Sequence, residues 1–180
     1  MPVKQVPIRP KTPWPLAAVA RIPGLGPRLM RLALRLPKWP RVPLTDLAVR
    51  EVAAGSVNRR EMALFRGYLP ASFELFPAPE LNSLLGHHEP VIAGREVGLA
   101  LLEQWLDAWE HFTMVPKEIV ELDGNRLLIL NHVYAQGAGS GLEINQDESE
   151  LWEFAKGHTR MRQWWSWDEG LQAAAEFSAD

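Results

Sequence analysis

A chain of 180 residues provides for one domain of about 100 to 150 residues with some chain to spare, and not for two. Apolar residues at 47% against 23% charged predict a packed core, and the absence of cysteine excludes disulfides, thiolate zinc sites and cysteine nucleophiles. The net charge of −3 conceals an asymmetry: residues 1–43 hold nine Lys or Arg, ten of the fifteen prolines and no acid, which leaves the remainder with 10 basic and all 22 acidic residues, a net of −12. Composition therefore divides the chain near Pro43 into a basic, proline-rich extension, expected to be flexible, and an acidic globular domain over 44–180.

Prolines at 2, 7, 10, 13 and 15 predict an extended start without a core of its own. From Pro27 to Leu36 the pattern changes. Leu29, Leu32, Ala33 and Leu36 recur at helical spacing while Arg28, Arg31 and Arg35 gather on another side, as in a short basic amphipathic helix. Such a helix suits a weak contact with an anionic membrane surface, a weak nucleic-acid contact, or docking on its own domain; the plainer reading is a mobile tail. Arginines interrupt the most apolar part of this segment, no run approaches a membrane span, and Trp14 to Ala20 lacks the form of a secretory signal, so a cytoplasmic protein is expected.

Beyond Pro43, Thr45 or Asp46 caps a predicted helix from Leu47 to about Asn58, and a short helix follows over Arg60 to Arg66. Ser72 to Phe76 alternates as a strand, and Ala78 to Gly94 reads as a long loop. The clearest element is a helix from Arg95 to Phe112, in which Val97, Leu101, Trp105, Ala108, Trp109 and Phe112 form an apolar stripe. Strands are then predicted over Thr113–Leu122, Arg126–Gln136, Leu142–Phe154 and His158–Trp167, with a closing helix over Asp168–Phe177. Helices followed by an antiparallel meander is an α+β pattern in which a curved, mostly antiparallel sheet wraps around helices.

The phrases GREVGLALLEQWLDAWEHF, LDGNRLLILNHVYAQGAGSGLE and ELWEFAKGHTRMRQWWSWDEGLQAAA, in this order over about residues 46–177, resemble the SnoaL-like branch of the nuclear transport factor 2-like superfamily. The resemblance implies a cone-shaped α+β barrel, frequently dimeric through the outer sheet face. It carries no catalytic signature. The steroid-isomerase positions of that superfamily fall on Ala53, Phe76 and Glu150, and a phenylalanine cannot abstract a proton. The water-activating set of its epoxide hydrolases falls on His132, Tyr134 and either Trp164 or Gln163, so that triad is absent as well.

The same resemblance points Leu128, Leu130, His132, Tyr134 and Gln136 into the cone, opposite Glu148, Glu150 and Trp152. His132 as base, Tyr134 as donor and Glu150 as orienter or acid form a candidate acid/base set for an isomerase, cyclase, dehydratase or hydrolase. The blander alternative is a satisfied polar pocket. Trp105, Trp109, Leu130, Trp152 and Trp164 are the candidate pocket lining, for a small, largely apolar molecule. His87, His88 and Glu89 have metal-ligand residue types, but adjacent loop histidines seldom share an ion, so no metal and no cofactor are expected. Six tryptophans in the acidic domain predict an apolar outer sheet face, covered by a second copy in a homodimer or else by the closing helix or the extension. A domain of net −12 is not expected to bind nucleic acid. An accessory protein-interaction module is the remaining alternative.

Overall fold

The computed structural model describes residues 14–22, 25–84, 86, 88–137, 139 and 141–177. Three helices come first: α1 (Trp14–Ala20), α2 (Leu25–Ala33) and α3 (Lys38–Leu47). Helical backbone continues from α3 through a π-helical stretch (Ala48–Ala54) into α4 (Gly55–Asn58). The helix expected to start at Leu47 thus starts at Lys38 and runs through Pro43, which removes one backbone donor without ending it. The change in composition at Pro43 is not a break in secondary structure. Residues 1–13, with the expected extended start, lie outside the described residues.

After α5 (Met62–Tyr68) come β1 (Phe73–Phe76), α6 (Pro79–Leu84) and β2 (Ile92–Ala93), the last two inside the segment expected to be a loop. The segment is short of periodic apolar residues, and β2 is held by pairing Ile92 and Ala93 with Leu75 and Glu74 of β1. The long helix α7 (Arg95–Asp107) ends five residues earlier than its apolar spacing suggests. Trp109 already pairs with Gly137 in a strand ladder, so the stripe continues as a strand whose aromatic residues still reach the core. Strands β3 (Trp109–Asp123), β4 (Arg126–Gly137), β5 (Glu143–Ala155) and β6 (His158–Trp164) follow, then α8 (Trp167–Phe177).

The six strands lie in the order β2-β1-β6-β5-β4-β3, antiparallel except for the β1–β6 pair. Register shifts in β3 between Trp109 and His111, Pro116 and Glu118, and Glu121 and Asp123 bend the sheet, as extra residues in one strand of a ladder do. The bent, unclosed sheet holds its helices on the concave side. There Phe65, Leu69 and Leu99 from the helices meet Phe73, Leu127, Ile129, Trp152 and Phe154 from the strands. Trp105 and Trp109 continue this core toward one end, their ring centroids 4.9 Å apart.

The segment before residue 44 takes part in that core. Leu34, just after α2, is 1% exposed and belongs to the same cluster as Val49, Leu127 and Ile129. Gly26 lies so close to Tyr68 that a Cβ there would stand 2.9 Å from the Tyr68 Cα. Arg41 pairs with Glu121 of β3 at 2.7 Å.

On the convex side, α8 covers β4 and β5 by packing Ala174 and Trp167 on Leu128, Leu130 and Leu151, with Trp164 beside them. Two hydrogen bonds fix it: Ser149 Oγ donates to the Ser166 carbonyl at 2.6 Å, and Trp167 Nε1 donates to the Asn131 carbonyl at 2.7 Å. The apolar part of the outer face is thus covered from within the chain.

Candidate functional site

Which side chains enter the cone follows from the β4–β5 register. The ladder pairs Ile129 with Glu150, Asn131 with Glu148, and His132 with Asp147, and directly paired residues share a face. Odd residues of β4 therefore go with even residues of β5. The expected set took even residues from both strands, and no antiparallel register of this parity can bring those together. Glu150 and Trp152 line the inside of the cone; Leu130, His132 and Tyr134 lie on the convex face. Leu130 packs under α8. His132 is held by two oxygens, Nδ1 2.8 Å from Asp147 Oδ1 and Nε2 2.8 Å from Asn145 Oδ1, and Tyr134 is half-exposed.

The last strand shows the same parity. Glu150 pairs with Gln163 and Trp152 with Met161, while Trp164 pairs with Ser149. Gln163 and Met161 enter the cone and Trp164 belongs to the outer cluster with α8. Trp105 lines the cavity, whereas Trp109, expected in the pocket lining, is buried in the core beside it.

The cone encloses a cavity of about 70 Å³. Its wall is almost wholly apolar, including Phe65, Leu99, Trp105 and Met114, and its polar part is Glu148, Glu150 and Gln163. A larger concavity of about 920 Å³ lies outside, lined by Arg21, Arg60, Glu103 and Asp107 among others. It is open and solvated, and Arg60 there already meets Asp107 and the Leu106 and Trp109 carbonyls. The enclosed cavity is the better candidate, since desolvation is what makes a polar group selective.

Glu148 and Glu150 are 4% and 5% exposed, on one face of β5 with a single residue between them. Burial pushes both carboxyls above the ordinary glutamate range, and Glu148 is pushed well above it because it also faces the charge of Glu150. The two carboxyls face each other closely enough for each to move the other's titration. Each has a second partner: Gln163 Nε2 donates to Glu148 Oε1 at 2.6 Å and Trp152 Nε1 donates to Glu150 Oε2 at 2.8 Å. Of the two, Glu148 is held more strongly toward its protonated form, while the Trp152 indole N–H favours the charged form of Glu150. Such a pair holds a donor and an acceptor side by side in an apolar wall.

Two amides add unspent capacity. Gln163 Oε1 has no partner among the described residues, and neither atom of the Asn131 amide has one, although Asn131 is 1% exposed and paired in register with Glu148. Sequence reasoning placed Glu148 on the correct face but gave it no role, and left Gln163 as an alternative to Trp164. The signal was the Glu-x-Glu-x-Trp alternation at 148–152, which puts two acids and an indole donor on one strand face. His87 lies outside the described residues, and His88 is exposed. Among the described residues no three His, Asp or Glu side chains are grouped so as to hold a metal ion.

No protein-family model matches the chain, and no curated protein matches it. Solved structures do. A protein of unknown function from Burkholderia pseudomallei, described as nuclear transport factor 2-like, superposes with a TM-score of 0.56 at 17% identity, over 69% of this chain and 92% of that one. The fold is nuclear transport factor 2-like. A Mycobacterium tuberculosis protein with the same fold, crystallised in complex with estradiol-17β-hemisuccinate, gives a TM-score of 0.53 at 14% identity, over 68% of this chain and 94% of its own. A putative SnoaL-like polyketide cyclase from Shewanella denitrificans gives 0.53 at 11% identity, over 74% and 99%. The nuclear transport factor 2-like fold accounts for the bent sheet and the helices in its concavity; the carboxyl pair has to be argued from its own residues.

Proposed function

We propose that the protein binds a small, largely apolar molecule in its cone, with one oxygen of that molecule set against Glu148, Glu150 and Gln163. The observation that carries this reading is the buried carboxyl pair in an otherwise apolar wall. Burying two acids without use for them is costly, whereas a ligand hydroxyl or carbonyl exchanges hydrogen bonds with both members. At about 12 Å³ per water, the cavity of about 70 Å³ has room for about six waters, the scale of one small ring. A second cavity of about 50 Å³, which shares Ala53, Phe65, Leu69 and Trp152, reaches beneath α2 and gives room for a longer ligand. The steroid ester bound by the Mycobacterium tuberculosis protein supports an apolar ligand class.

The same pair favours a second reading, proton transfer in an isomerase-, cyclase-, dehydratase- or hydrolase-type reaction, with Glu148 as donor and Glu150 as acceptor. His132 and Tyr134 have no part in it. We further propose a homodimer through the end of the outer sheet face that α8 leaves open, around Tyr134 and its partner Thr113; native mass spectrometry of the full chain reads its subunit number.

Calorimetric titration with p-cresol, with 4-methylcyclohexanone and with estradiol-17β-hemisuccinate tests the binding reading. Saturable binding of at least one probe is expected, weakened about tenfold or more by Glu150→Leu. Binding of none of the three, or equal binding by the folded variant, would sink it.

A further inference from the structure

The helices before residue 48 carry an observation that the cone does not use. One side of α2 is spent on the core through Gly26 and, just beyond it, Leu34. Its other side is open: Leu29, Leu32 and, after the helix, Leu36 are exposed, as are Val42, Leu44 and Leu47 of α3. Trp14 and Trp39 are 81% and 88% exposed. Leu16, Val19, Leu29, Leu36, Leu44 and Leu47, from all three helices, line one shallow apolar groove of about 290 Å³. Single exposed apolar side chains are ordinary, but a continuous group across three helices is not.

The charge around this group has one sign. Arg28, Arg31 and Arg35 flank the Leu29, Leu32 and Leu36 stripe at three- and four-residue steps, and Lys38 lies at its end. None of these four has an acidic partner among the described residues, and the sequence holds no Asp or Glu before Asp46. Arg41, by contrast, is committed to Glu121.

We propose that the open side of α1, α2 and α3 is a docking face for an anionic lipid surface. A bilayer is apolar beneath and negatively charged above, which matches leucines and tryptophans rimmed by arginines whose long stems reach past the apolar stripe to the headgroups. A second copy of this chain fits less well. A two-fold contact through this face would set the four cations of one protomer against the same four of its partner. Nucleic acid would answer the cations and leave the exposed leucines in water. The face is held to the cone by Leu34 and by the Arg41–Glu121 pair, so docking orders little new chain. The rest of the chain, at net −12, turns away from an anionic surface and orients the approach.

Flotation of the full chain with vesicles of phosphatidylcholine, and of phosphatidylcholine with about one third phosphatidylglycerol, tests this. Partition to the anionic vesicles is expected to exceed that to the neutral ones at least tenfold at low salt, and to fall as salt is added. Arg28→Glu with Arg35→Glu should lower it by about a hundredfold or more, at about fivefold per charge. Leu32→Gln with Trp39→Ser should lower it about tenfold. Melting curves of both variants should match the parent, because these side chains are exposed. Equal partition to the two vesicles, no partition, or partition that neither variant changes would overturn the proposal. So would a dimer of the full chain that Leu32→Gln with Trp39→Ser dissolves, which would assign the face to a second copy, or a short DNA duplex that displaces the vesicles.

Discussion

The two faces of the β4–β5 ladder are built from similar residues and do opposite work. On the concave side Ile129, Asn131, Glu148, Glu150 and Trp152 put a polar cluster against a cavity. On the convex side Leu128, Leu130, Ser149, Leu151 and Trp164 form a closed apolar layer under α8, which gives way to His132 and Asp147 where the helix no longer covers it. A strand buried on both faces loses the alternation that usually tells inside from outside. Chemistry is then assigned by ladder parity and by what covers each face, not by residue type.

The comparison can be broken at several points. Trp152 stacks or abuts Phe65, Phe73 and Phe154 and donates to Glu150, so Trp152→Ala should cost about 3–5 kcal/mol in a denaturant titration. A loss below about 1 kcal/mol would mean that the concave core is not packed as described. On the convex side, a Cβ at Gly170 would run into the Ser149 side chain and come within 3.4 Å of Leu128, so Gly170→Ala should cost about 1–3 kcal/mol by pushing α8 off the sheet.

The carboxyl pair gives a sign as well as a size. Both folded pKa values are raised, so the native state holds more protons than the unfolded chain between the ordinary glutamate value of 4.5 and the raised values. That contribution to stability is whole below the ordinary value and is lost as pH rises through the raised ones. Thermal melts across this range should show stability declining with pH, and Glu148→Gln, which keeps the shape without the ionisation, should flatten the decline. The smallest effect belongs to His132→Ala. It should change stability by about 1 kcal/mol or less and leave p-cresol affinity within twofold, since the ring lies on the convex face. A tenfold loss of affinity would return His132 to the cone.

Much of the fold was legible in the sequence. The four long strands, α7 and α8 are present in the predicted order because each buries a continuous apolar face, although α7 gives way to β3 earlier than the apolar spacing suggests. The helical run through Pro43 was not, since proline ordinarily ends a helix and the composition changes at the same residue. The short α6 and β2 were hidden for a different reason: two paired residues carry no period to detect. At the site, the family resemblance pointed Glu150 and Trp152 into the cone, and helical spacing put Trp105 on the core side. His132, Tyr134, Leu130 and Trp164 were assigned to the wrong face because the even residues of β4 look as much like a pocket lining as the odd ones do. Asn131, the buried amide beside Glu148, was read past for the same reason.

The central claim is that Glu148 and Glu150 lie together inside the cone and titrate above the ordinary glutamate range. Carbon-13 NMR of side-chain carboxyls, titrated in the parent protein and in Glu148→Gln, tests it directly. A glutamic acid signal that stays protonated above the ordinary glutamate range and disappears in the variant is the predicted result; two carboxyls titrating in the ordinary range would contradict the account.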